Sequence, residues 1–279
     1  MNKRIAMLGG GNMARALVAG LVSAGLSGKN IDVLDRNADK CEALRRDFSV
    51  NAYEQGAQWL SEADVIVLAV KPQGLSQTIA SLKHFFKPGA LFMSIAAGIR
   101  IADIARWVGS EKLVRAMPNT PCLIKAGVVG LFVPSSIAQE DKEVALEIMS
   151  AMGEVIEVQS EQQLDVLSTV SGSGPAYVFR FIEALEAGAV RRGFDEKAAR
   201  RMAILTVLGA AKLAVQSNET PAKLRANVTS KGGTTAEALR VMDEHDFMGM
   251  IDQALDAAYD RNQVLADELG NCLLYTSPS

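Results

Sequence analysis

The stretch LGGGNMARAL, residues 8–17, lies between the apolar RIAM of residues 4–7 and a run of residues suited to a helix. Gly9, Gly11 and Ala14 fit the form G-x-G-x-x-A. Where a strand passes through such a turn into a helix, the first glycine allows the tight turn and the second lets backbone amides approach a pyrophosphate. The small third residue lets helix and sheet pack closely. The helix N-terminus then faces the anion. A glycine-rich turn without a ligand has the same composition, so the rest of the chain must decide between the two.

Outward from that turn, short apolar runs recur: RIAML, IDVLD, VIVLAV, LFMSIA, KLVRAM, VVGLFV and EVIEV. Runs that are apolar at consecutive positions belong to strands buried on both faces, as in a parallel sheet covered by helices. Between them, MARALVAGLVSAGL and ADKCEALRRDF place apolar residues three or four apart, the helical period. This alternation predicts a doubly wound α/β sheet. Near residue 160 it stops, and from QQLDVLSTV to VLADELG only helical runs follow. The expected division is a dinucleotide-binding domain over 1–160, an all-helical domain over 161–270, and a non-native tail over 271–279. The ending CLLYTSPS is unlike the charged helix before it. The run YVFRFIEALEAGAVRRG, residues 177–193, is apolar around most of its circumference. It is either the central core helix of one subunit or a helix covered by a partner chain.

At 279 residues with 49% hydrophobic composition, the chain has the means to bury a large core. Lys and Arg total 29 against 32 Asp and Glu, a net charge of −3, and there is no basic run, so nucleic acid is not an expected partner. Cys41, Cys122 and Cys272 are scattered, without metal-ligand spacing or an even disulfide framework, and no metal is expected. A reducing cytoplasm fits this cysteine usage. The first apolar stretch breaks at glycines too early for a signal peptide or membrane span, and no membrane association is expected.

Ligands of a doubly wound sheet lie beyond the carboxyl ends of its strands, so the residues following each strand are the candidates. Asp35 and Arg36 follow IDVL: the acidic side chain suits a ribose hydroxyl, whereas the arginine suits a 2′-phosphate or an adenine face. The two point to different cofactors. AVKPQG, residues 69–74, and SIAAG, residues 94–98, supply small residues and a proline that leave room for a flat ring, or they are ordinary turns. In RAMPNTP, residues 115–121, two prolines hold Asn119 and Thr120, polar groups suited to a nicotinamide carboxamide. VSGSGPAYVF places Ser171, Ser173 and Pro175 at a helix start, where capping alone would explain them. In VTSKGGTTAEAL, residues 228–239, Thr234 and Glu237 have capping-box spacing after Gly232 and Gly233. Unhindered amides, the helix dipole and the hydroxyls of Ser230 and Thr235 make a socket for a small carboxylate, the alternative being a simple cap. Neither histidine, His84 or His245, lies in these segments, and no acidic or cysteine base stands there. Reducing an imine tolerates this, because a substrate protonated in solution is already electrophilic and positioning supplies most of the catalysis.

Taken in order, GGGNMA, AVKP, SIAAG, RAMPNTP, SGSGPAYVF and TSKGGTTAEAL resemble the motifs of pyrroline-5-carboxylate reductase over residues 1 to about 270. The resemblance implies an N-terminal Rossmann doubly wound sheet followed by an all-helical C-terminal domain that interlocks with its mate in a homodimer, often with further assembly of dimers. It implies reduction of the small imino acid L-1-pyrroline-5-carboxylate to L-proline, the last step of proline biosynthesis, by NADPH or NADH. Carried onto this chain, Leu8, Gly9, Gly10, Gly11, Asn12 and Met13 would line the pyrophosphate, with Arg36 and Asn51 at the adenosine end. Ala69, Val70, Lys71, Pro72, Ile95, Ala96 and Ala97 would line the nicotinamide ribose. Gly232, Gly233, Thr234 and Thr235 would hold substrate, with Thr235 nearest the ring nitrogen. Lys231 stands where many relatives have proline, and Asp35 where relatives favouring the phosphorylated cofactor often carry a small polar residue. The nearest rival, a β-hydroxyacid dehydrogenase, needs a lysine where GSGPAYV has Val178. A dinucleotide-binding regulatory module is the reading from another class, and the second anion socket argues against it.

Overall fold

The structure is a computed structural model and describes residues 3–55 and 58–270. Cys272 and the expected tail lie outside the described residues. The chain divides into two compact units: the described residues through Ser173 and from Ala258 onward, and Gly174–Ala257. The last strand ends at Val158, close to the expected change at 160, but the first unit runs on to Ser173.

The first unit begins with β1 (Ile5–Leu8), α1 (Asn12–Ser23), β2 (Ile31–Leu34), α2 (Ala38–Phe48) and β3 (Asn51–Tyr53). It continues through β4 (Val65–Leu68), α3 (Pro72–Leu82), β5 (Leu91–Ser94), α4 (Ile101–Val108) and β6 (Leu113–Pro118). Then come β7 (Gly127–Phe132), α5 (Gln139–Ser150), β8 (Gly153–Val158) and α6 (Glu161–Leu167). Among the described residues these strands form one eight-stranded sheet in the order β3-β2-β1-β4-β5-β6-β7-β8. All pairings are parallel except β6 with β7. The uninterrupted apolar strands follow from a core on each face. Ile5, Met7, Val33, Val65 and Val67 enter one hydrophobic cluster, and Ala6, Leu8, Ile66 and Leu68 enter the other. Side chains alternate across a strand, so a strand buried on both faces has few polar positions, and the buried Asp32 of β2 is held by Arg4, Asn51 and Tyr53. The sequence reading missed β3, whose three residues NAY are too few to show a period.

The second unit contains α7 (Gly174–Val190), α8 (Glu196–Gln216), α9 (Pro221–Asn227) and α10 (Thr234–Glu244), and it shares α11 (Phe247–Gly270) with the first. Helices α7 and α8 pair as a hairpin, with Arg200 Nη2 donating to Glu186 Oε1 at 2.8 Å. Along α7 and α8 only Gly174, Ala199 and Ala203 are buried. Phe179 is 60% exposed and Leu205 50% exposed, and Phe181, Leu185, Ile204 and Leu208 are exposed as well. The apolar run is therefore left largely uncovered within its own unit. No helix of the described residues is long and apolar enough to cross a membrane.

Candidate active site

Strand β1 has β2 on one side and β4 on the other, and the connections leave in opposite directions there. That is the switch point at which doubly wound sheets hold ligands beyond their carboxyl ends. A cavity of about 670 Å³ opens at this place, within the range of small-molecule sites. Leu8, Gly9, Gly11, Asp35, Arg36, Ala69, Val70 and Lys71, all cofactor candidates from the sequence, line it.

The glycine turn is built by its neighbours. The Gly9 amide donates to the Leu34 carbonyl at 2.8 Å, and the Gly10 amide donates to Asp35 Oδ2 at 2.8 Å. Gly9 has φ +106°, and a Cβ there would lie 2.8 Å from the Ala69 carbonyl carbon, so this position admits only glycine. Gly11 is different. It is the N-cap of α1 in extended backbone, φ −69°, and a Cβ there would meet no atom of the protein within 4 Å. Neither the fold nor the backbone angle requires glycine at this position, but the space its missing side chain leaves is open to the cavity. Helix α1 has no side-chain cap, and its first amides, Asn12 and Met13 among them, have no intrahelical acceptor. A diphosphate fits this cradle by both shape and charge.

On the rim, Arg36 and Lys71 are exposed and have no ion-pair partner among the described residues. Lys71 caps α3 ahead of Pro72 without using its side chain. Lys40, Glu54, Gln55, Gly74 and Thr78 also line the cavity and were missed. Glu54 and Gln55 follow the unrecognised β3, and Lys40 lies one turn past the cap at Asn37, a spacing that could have revealed it.

Two expected cofactor residues, Asn51 and Asn119, do not line the cavity and are held by other groups of the protein, and a third, Asp35, lines it while also holding backbone. Asn51 sits at the amino end of β3, away from the crevice, where its amide donates to Lys29 O and Asp32 Oδ1, both at 3.1 Å. Asn119 does follow β6, but its carboxamide donates to Ser171 O at 3.0 Å and accepts the Val128 amide at 3.0 Å, so both ends hold backbone. Asp35 lines the cavity, yet each of its oxygens already accepts a backbone amide, Gly10 on Oδ2 and Asn37 on Oδ1 at 2.9 Å. Burial pushes up the thiols of Cys41 and Cys122, which remain donors to Asp35 O and Asn119 Oδ1 at 3.2 and 3.5 Å. After β5, the buried Ser94 hydroxyl accepts the Ala96 amide, shaping the turn that carries Ile95, Ala96 and Ala97. Ser171 lies in the π turn 168–172 before α7, and its buried hydroxyl has no partner among the described residues. Among the described residues no group of three His, Cys, Asp or Glu side chains is placed to hold a metal ion.

In the second unit, α10 begins at Thr234, as expected, but the capping box does not form. Gly233 is the N-cap, no side chain caps the helix, and Glu237 pairs with Arg240 instead. Gly232 has φ +70°, and the Gly233 amide donates to Ser230 O at 3.0 Å, closing a tight turn. The first helical bond runs from the Glu237 amide to Gly233 O, which leaves the amides of Thr234, Thr235 and Ala236 outside the helical ladder. Thr235 is half-buried, and Ser230 and Thr234 are exposed. An uncapped N-terminus behind a Gly-Gly turn suits an anion better than the capped end the sequence implied.

Residues 161–265 match the family model described as pyrroline-5-carboxylate reductase dimerisation, and residues 4–98 match the NADP oxidoreductase, coenzyme F420-dependent model. The pyrroline-5-carboxylate reductase of Pseudomonas aeruginosa is 38% identical over 96% of this chain and 98% of its own length. That of Vibrio alginolyticus is 40% identical over 93% and 96%. The solved structure of the Coxiella burnetii enzyme superposes with TM-score 0.90 at 37% identity, covering 95% of this chain and 99% of the other. The Plasmodium falciparum enzyme with NADP bound gives 0.83 at 26% identity, covering 95% and 98%. By these near-full-length matches the chain belongs to the pyrroline-5-carboxylate reductase family, homo-oligomeric NAD(P)-dependent oxidoreductases that reduce pyrroline-5-carboxylate to proline.

Proposed function

We propose that this chain reduces L-1-pyrroline-5-carboxylate to L-proline with NADPH as preferred cofactor and NADH as an alternative. The carrying observation is the open space on the Gly11 side of the uncapped α1 N-terminus, a cradle that the protein's own packing does not need. The cofactor supplies the hydride that reaches the imine carbon. Residues Leu8 to Met13 line its diphosphate, with the Asn12 and Met13 amides at the start of α1 left to donate to it, Arg36 meets the adenosine end, and Ala69 to Pro72 with Ile95 to Ala97 border the nicotinamide ribose. The amides of Thr234 and Thr235 and the Ser230 hydroxyl hold the substrate carboxylate. The Thr235 hydroxyl fixes the ring nitrogen, which arrives already protonated, so that no side chain has to deliver a proton during the reaction.

In this reading residues 1–160 serve the cofactor and 161–270 serve substrate and dimerisation. The exposed apolar faces of α7 and α8 are the surface a second copy covers, with dimers assembling further. The buried free thiols Cys41 and Cys122 suit the cytoplasm. Mixing the purified protein with pyrroline-5-carboxylate and NADPH and following the nicotinamide absorbance tests the reading. Substrate-dependent oxidation with proline as product is expected, and cofactor binding without turnover overturns it.

A further inference from the structure

We propose that Lys40 is a specificity-determining residue of the cofactor site, pairing with the 2′-phosphate of NADPH beside Arg36 while it offsets the charge of Asp35. This rests on the dinucleotide reading above and adds a residue to it. An acidic side chain after the second strand ordinarily accepts from the ribose hydroxyls and repels a phosphate at that position. Here Asp35 also holds backbone. Its Oδ2 accepts the Gly10 amide at 2.8 Å and lies 3.6 Å from Lys40 Nζ, and its Oδ1 accepts the Asn37 amide at 2.9 Å. The carboxylate thus shapes the glycine turn, and two amide dipoles and an ammonium offset its charge.

Lys40 is placed for both tasks. Its backbone amide donates to the Asn37 cap at 3.0 Å, which anchors its Cα in the first turn of α2. Its side chain is 49% exposed on the cavity rim, and a flexible four-carbon stem lets the ammonium reach past Asp35. The charged groups of the rim are Asp35 and Glu54 against Arg36, Lys40 and Lys71, a surplus of one positive charge (three minus two). A phosphate monoester brings about −1.5 to −2 at neutral pH and a ribose hydroxyl none, so the surplus favours the phosphorylated cofactor. Removing Lys40 takes away one phosphate partner and uncovers Asp35, and both changes act against NADPH alone.

Calorimetric titration of the whole protein with adenosine 2′,5′-bisphosphate and with adenosine 5′-monophosphate separates these effects without turnover. The wild type is expected to bind the bisphosphate roughly tenfold or more tighter, and Lys40→Ala to lose about tenfold for the bisphosphate, the equivalent of one charged contact, with the monophosphate unchanged. Lys40→Arg should restore most of the difference. Equal loss for both nucleotides, or no loss for either, overturns the proposal, as does a wild type that binds both alike. If the wild type binds neither nucleotide nor NADPH nor NADH, the dinucleotide reading itself falls.

Discussion

The Asn119 carboxamide donates to the Ser171 carbonyl at 3.0 Å while accepting the Val128 amide at 3.0 Å, so one side chain fastens the turn before α7 to the ends of β6 and β7. With both ends of the amide spent on backbone, its first duty is to hold the fold. Asn119→Ala should lower stability by about 1 to 3 kcal/mol, because the Val128 amide loses its acceptor in a largely buried place. Denaturant unfolding should show the loss while the dissociation constant for NADPH changes little. A weakened cofactor affinity at unchanged stability would return Asn119 to the nicotinamide.

Gly9 and Gly11 should respond in opposite ways. Gly11→Val introduces a side chain into space that holds no protein atom, so the thermal midpoint should stay near wild type while fluorescence titration shows NADPH binding lost. Gly9→Ala forces a Cβ to within 2.8 Å of the Ala69 carbonyl at φ +106°, and should destabilise by about 1 to 3 kcal/mol from backbone strain alone.

Thr235→Ala should reduce kcat/KM by roughly ten- to a hundredfold, the cost of one hydrogen bond to a charged partner. NADPH binding should stay as it was. His84 and His245 are exposed, so replacing either with Ala should leave steady-state rates intact. An inactive histidine variant beside an unimpaired Thr235→Ala would shift the chemistry to an acid-base mechanism.

Leu205 and Leu208, one turn apart on α8, are 50% and 45% exposed in the single chain. Light scattering of the wild type at micromolar concentration should give at least a dimer. Glutamate at both positions should bring the mass down toward that of one chain, since a charge in an apolar interface loses its hydration without gaining a partner.

Burial raises the thiol pKa of both Cys41 and Cys122 above the ordinary 9.0. The nucleophile in alkylation is the thiolate, so a raised value means less of it at any pH below that value. Peptide mapping after brief iodoacetamide treatment at pH 8 should find both residues unmodified in the native protein and modified in urea. Rapid native labelling of Cys41 would mean that the second strand's end opens readily.

The patterns that a few neighbouring residues write along the chain were legible without coordinates. Two-sided burial of the strands leaves consecutive apolar residues, the turn at Gly9 to Gly11 needs bare backbone, and the end of the strand series near residue 160 is a change of period. The ordered motifs were enough to point to the family that the full-length matches then established. What the sequence left undecided depends on which distant groups meet. Asp35 reads as a ribose acceptor alone, whereas the turn 25 residues earlier also brings the Gly10 amide onto its Oδ2, and Asn119 reads as a ligand until Ser171, 52 residues on, takes its amide. Asn51 reads as an adenosine contact until the register with Asp32 puts it at the wrong end of the sheet. Thr234 and Glu237 have the spacing of a capping box, but the backbone makes Gly233 the cap and Arg240 takes the glutamate. A polar side chain's type limits what it binds, but its role is set by whichever donor or acceptor the fold delivers first, and only the tertiary structure holds that information.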